Sequence, residues 1–166
     1  MIPIIYPGAT WKPLEDHSVP GDISQRNLIV LHITQGSTAA GAIATFAQSQ
    51  HPKRVSAHFV IDRDGTVYQL VDCNDTAWHA SAVNGSSIGI EHVAMAAWDG
   101  HMPLLATDAQ YAASAALIQW LAGQMNIPID REHIKGHNEA SPRDGHVLCC
   151  TGALDPDKLV KLALGE

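Results

Sequence analysis

Hydrophobic positions come in short runs separated by polar and turn-forming residues. Leu28-Ile29-Val30-Leu31 is an unbroken apolar run ending in His32, the pattern of a strand buried on both faces. His58-Phe59-Val60-Ile61 and Val67-Tyr68-Gln69-Leu70-Val71 flank Asp62-Arg63-Asp64-Gly65. Asp-Gly between two such runs predicts a β-hairpin. Ile88-Gly89-Ile90-Glu91-His92-Val93 predicts a central strand interrupted by a charge, and Ile134 to Gly136 a short strand. Ser37 is expected to cap an alanine-rich helix that ends near Gln50, before Pro52. The clearest helix spans Asp108 to Gly123. Thr107 and Gln110 form a capping-box pattern there, and Tyr111, Ala115, Ile118 and Ala122 share one face. Asp155-Pro156 opens a last helix, with aspartate as cap and proline at the first position. Residues 1–27, punctuated by Pro3, Pro7, Pro13, Pro20 and Gly21, read as an irregular arm. Strands mixed with a few helices over residues 28–166 point to one α/β or α+β sheet domain.

Composition narrows the function classes. A chain of 166 residues fits one domain and buries roughly 70% of its unfolded surface, so it requires no disulfide framework. Hydrophobic residues at 46% and charged residues at 16% exclude a highly charged disordered chain. A formal charge of −7 without a basic run argues against a nucleic-acid partner. No stretch approaches the roughly 18 apolar residues of a membrane-spanning helix. Met1 to Pro7 lacks the basic region and cleavage site of a signal peptide. The 10 histidines equal all lysines and arginines together. Histidine is the commonest metal ligand and titrates near neutral pH, so this surplus points to metal or proton chemistry. Cys73, Cys149 and Cys150 cannot all pair with one another. The adjacent two read as one candidate thiolate ligand with a neighbour.

Glu91 stands inside an apolar strand pattern, where a charge is costly unless it is paired or chemically useful. His32 and His137 each follow a predicted strand. The plain alternatives are a buried structural glutamate and hydrogen-bonded core histidines. Spacing alone contains no zinc-finger signature.

Five segments, taken in order, carry more. They are Leu28-Ile-Val-Leu-His32, Val55-Ser-Ala-His-Phe-Val-Ile-Asp-Arg-Asp-Gly65, Ala77-Trp-His-Ala80, Ser87-Ile-Gly-Ile-Glu91 and Gly136-His137. Together they resemble the type 2 N-acetylmuramoyl-L-alanine amidases, a family that includes phage endolysins, wall-recycling amidases and peptidoglycan recognition proteins. The resemblance runs from about residue 28 to residue 155. It implies a central mixed β-sheet flanked by helices, with residues 28–166 forming a zinc amidase domain. It also implies one Zn2+ bound by two histidines and a cysteine or aspartate, with a fourth position left for water.

Carried over residue by residue, the histidine ligands are His32 and His137. The third ligand usually stands in a Cys/Asp-Pro-Gly tripeptide. Cys150-Thr151-Gly152 is the nearest match, so Cys150 is the expected ligand, with Cys149 and Asp144 as rivals. The lysine that many relatives place two residues before the third ligand is Leu148 here. His146 is the candidate for the missing positive group, with Arg143 as the alternative. Glu91 is implied as the carboxylate that takes the water's proton and returns it to the leaving amine. Ala57 stands where one subgroup has a tyrosine, which puts more weight on Glu91. Trp78 and His79 are expected to line the substrate groove, with Asn84 on the substrate side and Thr34 hydrogen-bonded within the site. His58 is expected to pack or to orient a groove loop, and His17, His51, His92, His101 and His133 have surface or packing roles.

The resemblance therefore implies hydrolysis of the bond between the lactyl group of N-acetylmuramic acid and L-alanine, in peptidoglycan or a muropeptide. No nucleic-acid partner and no stable membrane insertion are expected. The enzyme would be made in the cytoplasm and would act on the bacterial cell wall. Two other classes stand beside it. One is a non-catalytic peptidoglycan-binding module, which would have lost its ligand set. The other is a structural zinc domain, which would have a closed fourth position and no groove. Cytoplasmic recycling of anhydromuropeptides is a further variant of the enzymatic reading.

Overall fold

The computed structural model describes residues 2–166; the first residue of the expected arm lies outside the described residues. In chain order the elements are β1 (Ala9–Trp11), β2 (Ser18–Val19), β3 (Leu28–Ile33), α1 (Ala39–Gln48), β4 (Phe59–Ile61), β5 (Val67–Gln69) and β6 (Thr76–Ala77). They continue with β7 (Ser87–His92), α2 (Asp108–Met125), β8 (Ile134–Gly136), α3 (His137–Ala140) and α4 (Pro156–Leu164). Six strands form one mixed sheet in the order β1-β5-β4-β7-β3-β8, and β2 pairs with β6 in a small separate ladder. The β4–β5 pair is antiparallel, whereas β4, β7, β3 and β8 run parallel. The expected α/β architecture, a central mixed sheet flanked by helices, is the observed one.

Period-2 alternation decides what each central strand offers to its two faces. Ile29, Leu31 and Ile33 of β3, with Ile88 and Ile90 of β7, enter a core shared with Leu117, Ile118 and Leu121 of α2 and Leu159 of α4. Each such burial contributes roughly 1.5–3 kcal/mol before the cost of ordering the chain. Leu28, Val30 and His32 point the other way, as do Ser87, Gly89 and Glu91. A second cluster, around Val60, Leu70, Val93 and Ala39, packs α1 against the sheet. Because β3, β7 and β8 are parallel, their carboxyl ends open on one edge of the sheet, the usual place for a site in such folds.

The local signals were accurate at two of the three expected helix starts. Thr107 and Gln110 form the capping box of α2, and Asp155 accepts amide hydrogens from Asp157 and Lys158 to start α4. The cap of α1 is Thr38 rather than Ser37: its side chain accepts from the Gly41 amide. The Asp62–Gly65 segment makes the expected hairpin. Gly65 sits at φ +88°, where a Cβ would come 2.9 Å from the Ala109 carbonyl oxygen, so the turn and the packing of α2 both require glycine.

The arm is not wholly irregular. β1 pairs in parallel with β5 at the sheet edge, Ala9 opposite Val67. Tyr6 packs on Trp120 of α2 with ring centroids 5.2 Å apart. Three residues bounded by Pro7 and Pro13 carry no periodicity to read, and their partner lies far along the chain. Among the described residues no helix is long and apolar enough to cross a membrane, and all three cysteines are free and buried.

Candidate metal centre and cleft

A cleft of about 930 Å³ opens over the carboxyl ends of β3 and β7. His32 and Glu91 are register partners on these neighbouring strands and face the cleft together. His137 is the first residue of α3, directly after β8, and so arrives at the same edge. The chain then crosses Asp144 to Leu148, which form one wall, and returns to the floor at Cys149.

His32, His137 and Cys149 bring their donor atoms within 4.8 Å of one another, all three residues being buried. Cys149 Sγ lies 3.8 Å from His32 Nδ1, close to the edge of about 3.6 Å that zinc–nitrogen and zinc–sulfur bonds define in a tetrahedron. The structure brings Cys149, and not the expected Cys150, to the two histidines. Cys150 adopts φ +74°, and its thiol turns away to donate to the Leu31 carbonyl oxygen at 3.0 Å. Here Cys149 lines the cleft, while Cys150 turns toward the β3 backbone and does not line it. The rival Asp144 is engaged elsewhere. Its Oδ2 accepts from His137 Nε2 at 2.9 Å, which leaves Nδ1 as that ring's nitrogen for the cluster with His32 and Cys149.

The electrostatics suit a cation. Interaction with the Cys150 thiol holds the Cys149 thiol well below the ordinary thiol range against the opposing effect of burial, and His137 and His32 add to the lowering. Burial pulls His32 down, partly offset by Cys149. Burial also opposes protonation of His137, but hydrogen bonds to Cys149 and Asp144 prevail and raise it. Glu91 is pushed well above the usual carboxylate range by burial first and by Cys149 second. Its Oε2 is buried without a hydrogen-bond partner among the described residues. Such a group is costly unless it has a ligand to serve. Two imidazoles, one thiolate and an unsatisfied carboxylate fit a catalytic zinc better than a closed structural one, which takes four protein ligands.

The remaining expected residues separate into those that wall the cleft and those that hold the walls. Trp78 is half-buried in the lining, and its amide donates to Ser56 Oγ at 2.9 Å. Thr34 lines the cleft and accepts from the Gly36 amide. Asn84 also lines it, but its Oδ1 clasps the amides of His79 and Ala80 at 3.0 and 2.7 Å. His146 stacks on the His137 ring with centroids 4.5 Å apart. Arg143 is exposed and does not line the cleft. Moving the third donor to Cys149 also moves the position two residues earlier from Leu148 to Val147, which is 68% exposed.

His79 lines the cleft as expected, yet its ring nitrogens are engaged inside the protein. Nδ1 meets His32 Nε2 at 3.0 Å, and Nε2 meets Ser87 Oγ at 3.2 Å. Sequence reasoning missed this contact. The available signal was Gly89, because a glycine inside an apolar strand marks close approach by another group. A Cβ at Gly89 would lie 2.6 Å from Cγ of the His79 ring. His58 and His92 are core residues. His58 bridges the Gly89 amide and the Asp75 carbonyl, while His92 bridges the His32 carbonyl and Ser114 of α2.

Comparison with known families matches residues 23–156 to N-acetylmuramoyl-L-alanine amidase. The chain belongs to that family. Within the amidase family it is 37% identical over 95 residues to N-acetylmuramoyl-L-alanine amidase A of Achromobacter lyticus, covering 56% of this chain and 51% of that protein. It is 32% identical over 148 residues to the 1,6-anhydro-N-acetylmuramyl-L-alanine amidase AmpD of Haemophilus influenzae, covering 75% and 74%. The chain thus spans about half the length of the first curated relatives it matches, 51% in each case. Among solved structures, the amidase LysC of Clostridium intestinale superposes with a TM-score of 0.71 at 22% identity, covering 96% of this chain and 99% of that one. At that identity the likeness is one of fold.

Proposed function

We propose that the chain is a zinc-dependent N-acetylmuramoyl-L-alanine amidase that hydrolyses the amide between the lactyl group of N-acetylmuramic acid and L-alanine in peptidoglycan. One observation carries the reading. A buried carboxylate oxygen of Glu91 without a partner shares a cleft floor with the clustered donors of His32, His137 and Cys149. Those three residues would hold the metal with one net positive charge remaining. When bound, zinc lowers the pKa of its water to about 7 and polarises the scissile carbonyl. Glu91 would take a proton from that water and return it to the departing amine of L-alanine. Trp78 and His146 both line the cleft and would contact the muropeptide.

Loss of a ligand would leave a peptidoglycan-binding module, but two imidazoles and a low-pKa thiol are all in place. The test is mass spectrometry of products from purified cell walls, with and without chelator. The amidase reading predicts stem peptides with a free L-alanine amine and glycan strands retaining their lactyl groups, both absent after chelation. Release that persists after complete metal removal, or products cut at another bond, would overturn it. The similarity to AmpD of Haemophilus influenzae supports a second reading of the substrate, the 1,6-anhydro muropeptide. Parallel turnover of intact walls and of soluble anhydromuropeptide separates the two.

A further inference from the structure

The His32 side of the site contains a chain of hydrogen bonds whose direction is fixed at its far end. Ser87 Oγ lies 2.7 Å from the Val83 carbonyl oxygen. That oxygen carries no hydrogen, so a contact this short commits the serine hydroxyl as donor. Ser87 Oγ is then left to accept, and His79 Nε2, 3.2 Å away, supplies the hydrogen. A neutral His79 protonated on Nε2 has a bare Nδ1. That nitrogen meets His32 Nε2 at 3.0 Å, so His32 in turn carries its hydrogen on Nε2. Its bare nitrogen is Nδ1, the one 3.8 Å from Cys149 Sγ.

The relay ring is also held in place. A Cβ at Gly89 would meet its Cγ at 2.6 Å and Nδ1 at 2.7 Å, so the ring rests directly on the β7 backbone. His58 stands edge-on at 5.8 Å between centroids, itself oriented by the Gly89 amide and the Asp75 carbonyl. Asn84 clasps the backbone amides of His79 and Ala80. Ser87, Gly89 and Glu91 lie on one face of one strand, so β7 supplies the relay's anchor, its seat and the reacting carboxylate in succession.

We propose that His79 is a positioning residue for the metal centre, which locks His32 in its Nε2-protonated tautomer and so presents Nδ1 to the metal. The inference rests on the zinc reading of His32, His137 and Cys149. It replaces a direct substrate contact as the principal role of His79. Partners behind a ligating histidine typically govern metal affinity by about 10–100-fold.

Two measurements test it. Long-range nitrogen–proton NMR of protein labelled in its histidine rings, with His32 and His79 assigned by substitution, reads the tautomers directly. Both rings are expected in the Nε2–H form in the zinc-loaded protein. Competitive chelator titration then compares zinc affinity among variants that retain the wild-type circular dichroism. His79→Leu, which fills the space without an acceptor, is expected to weaken zinc about 10–100-fold. His79→Asn, which restores an acceptor near the Nδ1 position, recovers most of that loss, and Ser87→Ala weakens binding by a smaller factor than His79→Leu. An Nδ1–H tautomer at His32, or His79→Leu binding zinc as tightly as wild type, would overturn the proposal. If wild type itself takes up no stoichiometric zinc, the underlying site reading fails first. If wild type binds zinc and His79→Leu matches it, the relay alone fails.

Discussion

The two halves of the site are held by different physics. His32 and Glu91 stand on β3 and β7, register partners in the parallel part of the mixed sheet, whose other face is the main core. His137, Asp144 and Cys149 stand on a short helix and an irregular return, with Arg143 and the run Gly145 to Val147 exposed between them. Behind His32 is a neutral chain ending at a backbone carbonyl; behind His137 is a carboxylate. The sheet half is preorganised by the fold, so its geometry exists before any metal binds. The return half is anchored by Cys149 and Cys150 in the core and by the Glu139–Arg131 pair, and among the described residues no strand ladder runs between them, so a bound ion would have more ordering to do there. Metal affinity and local order are therefore coupled on one side of the site and largely independent on the other.

The largest effect is expected at the donor on the irregular return. Cys149→Ser should lose bound zinc and all measurable turnover, whereas Cys150→Ser keeps both, as read by metal content and wall hydrolysis. Next in size is Glu91→Gln on the sheet half. It should retain zinc stoichiometry while kcat falls by about 10²–10⁴-fold, the usual worth of a positioned proton carrier. Smaller again is Asp144→Asn, which removes the charge behind His137 and should weaken zinc by about 10–100-fold. The same change should raise hydrogen exchange in residues 141–152 and leave β3 and β7 unaffected. Equal exchange changes in both halves would erase the difference between them.

The smallest effect concerns stability and pH. Burial pulls His58 down to about 3 and His92 down to about 4, below the unfolded value of about 6.5. The unfolded chain therefore binds more protons between these values. The stability due to the neutral buried rings is complete above pH 6.5 and is lost as pH falls toward 4 and then 3. Each buried histidine costs about 1.4 kcal/mol per pH unit in that window. His92→Gln should flatten the slope of stability against pH by one proton in denaturant melts from pH 6 to pH 4.5. An unchanged slope would mean that His92 does not contribute to the acid sensitivity of the fold.

The same division explains what could be read from sequence. Apolar runs named β3 and β7, and the capping residues Thr107 and Asp155 fixed two helix starts, because those signals are local. Period 2 alone puts Ser87, Gly89 and Glu91 on one face. Ordered motifs then brought His32, Glu91 and His137 to one site, which the parallel sheet delivers to a single edge. The return segment has no period, and the choice between neighbouring cysteines turns on a backbone angle of +74° at Cys150, which composition does not encode. The His79–Ser87 contact was hidden for another reason. It needs the loop of residues 78–86 to fold back over β7, a tertiary event marked in the sequence only by Gly89. The strand β1 escaped because its partner β5 lies far along the chain and its own three residues lack a pattern.

X-ray absorption at the zinc edge of the loaded wild-type protein reads the donor set itself. The expected first shell has one sulfur at about 2.3 Å and three nitrogen or oxygen neighbours at about 2.0–2.1 Å, with two of the light atoms showing imidazole scattering. A shell without sulfur would return the third position to Asp144, and a shell with two sulfurs would place both adjacent cysteines on the metal. Either result would contradict the centre formed by His32, His137 and Cys149.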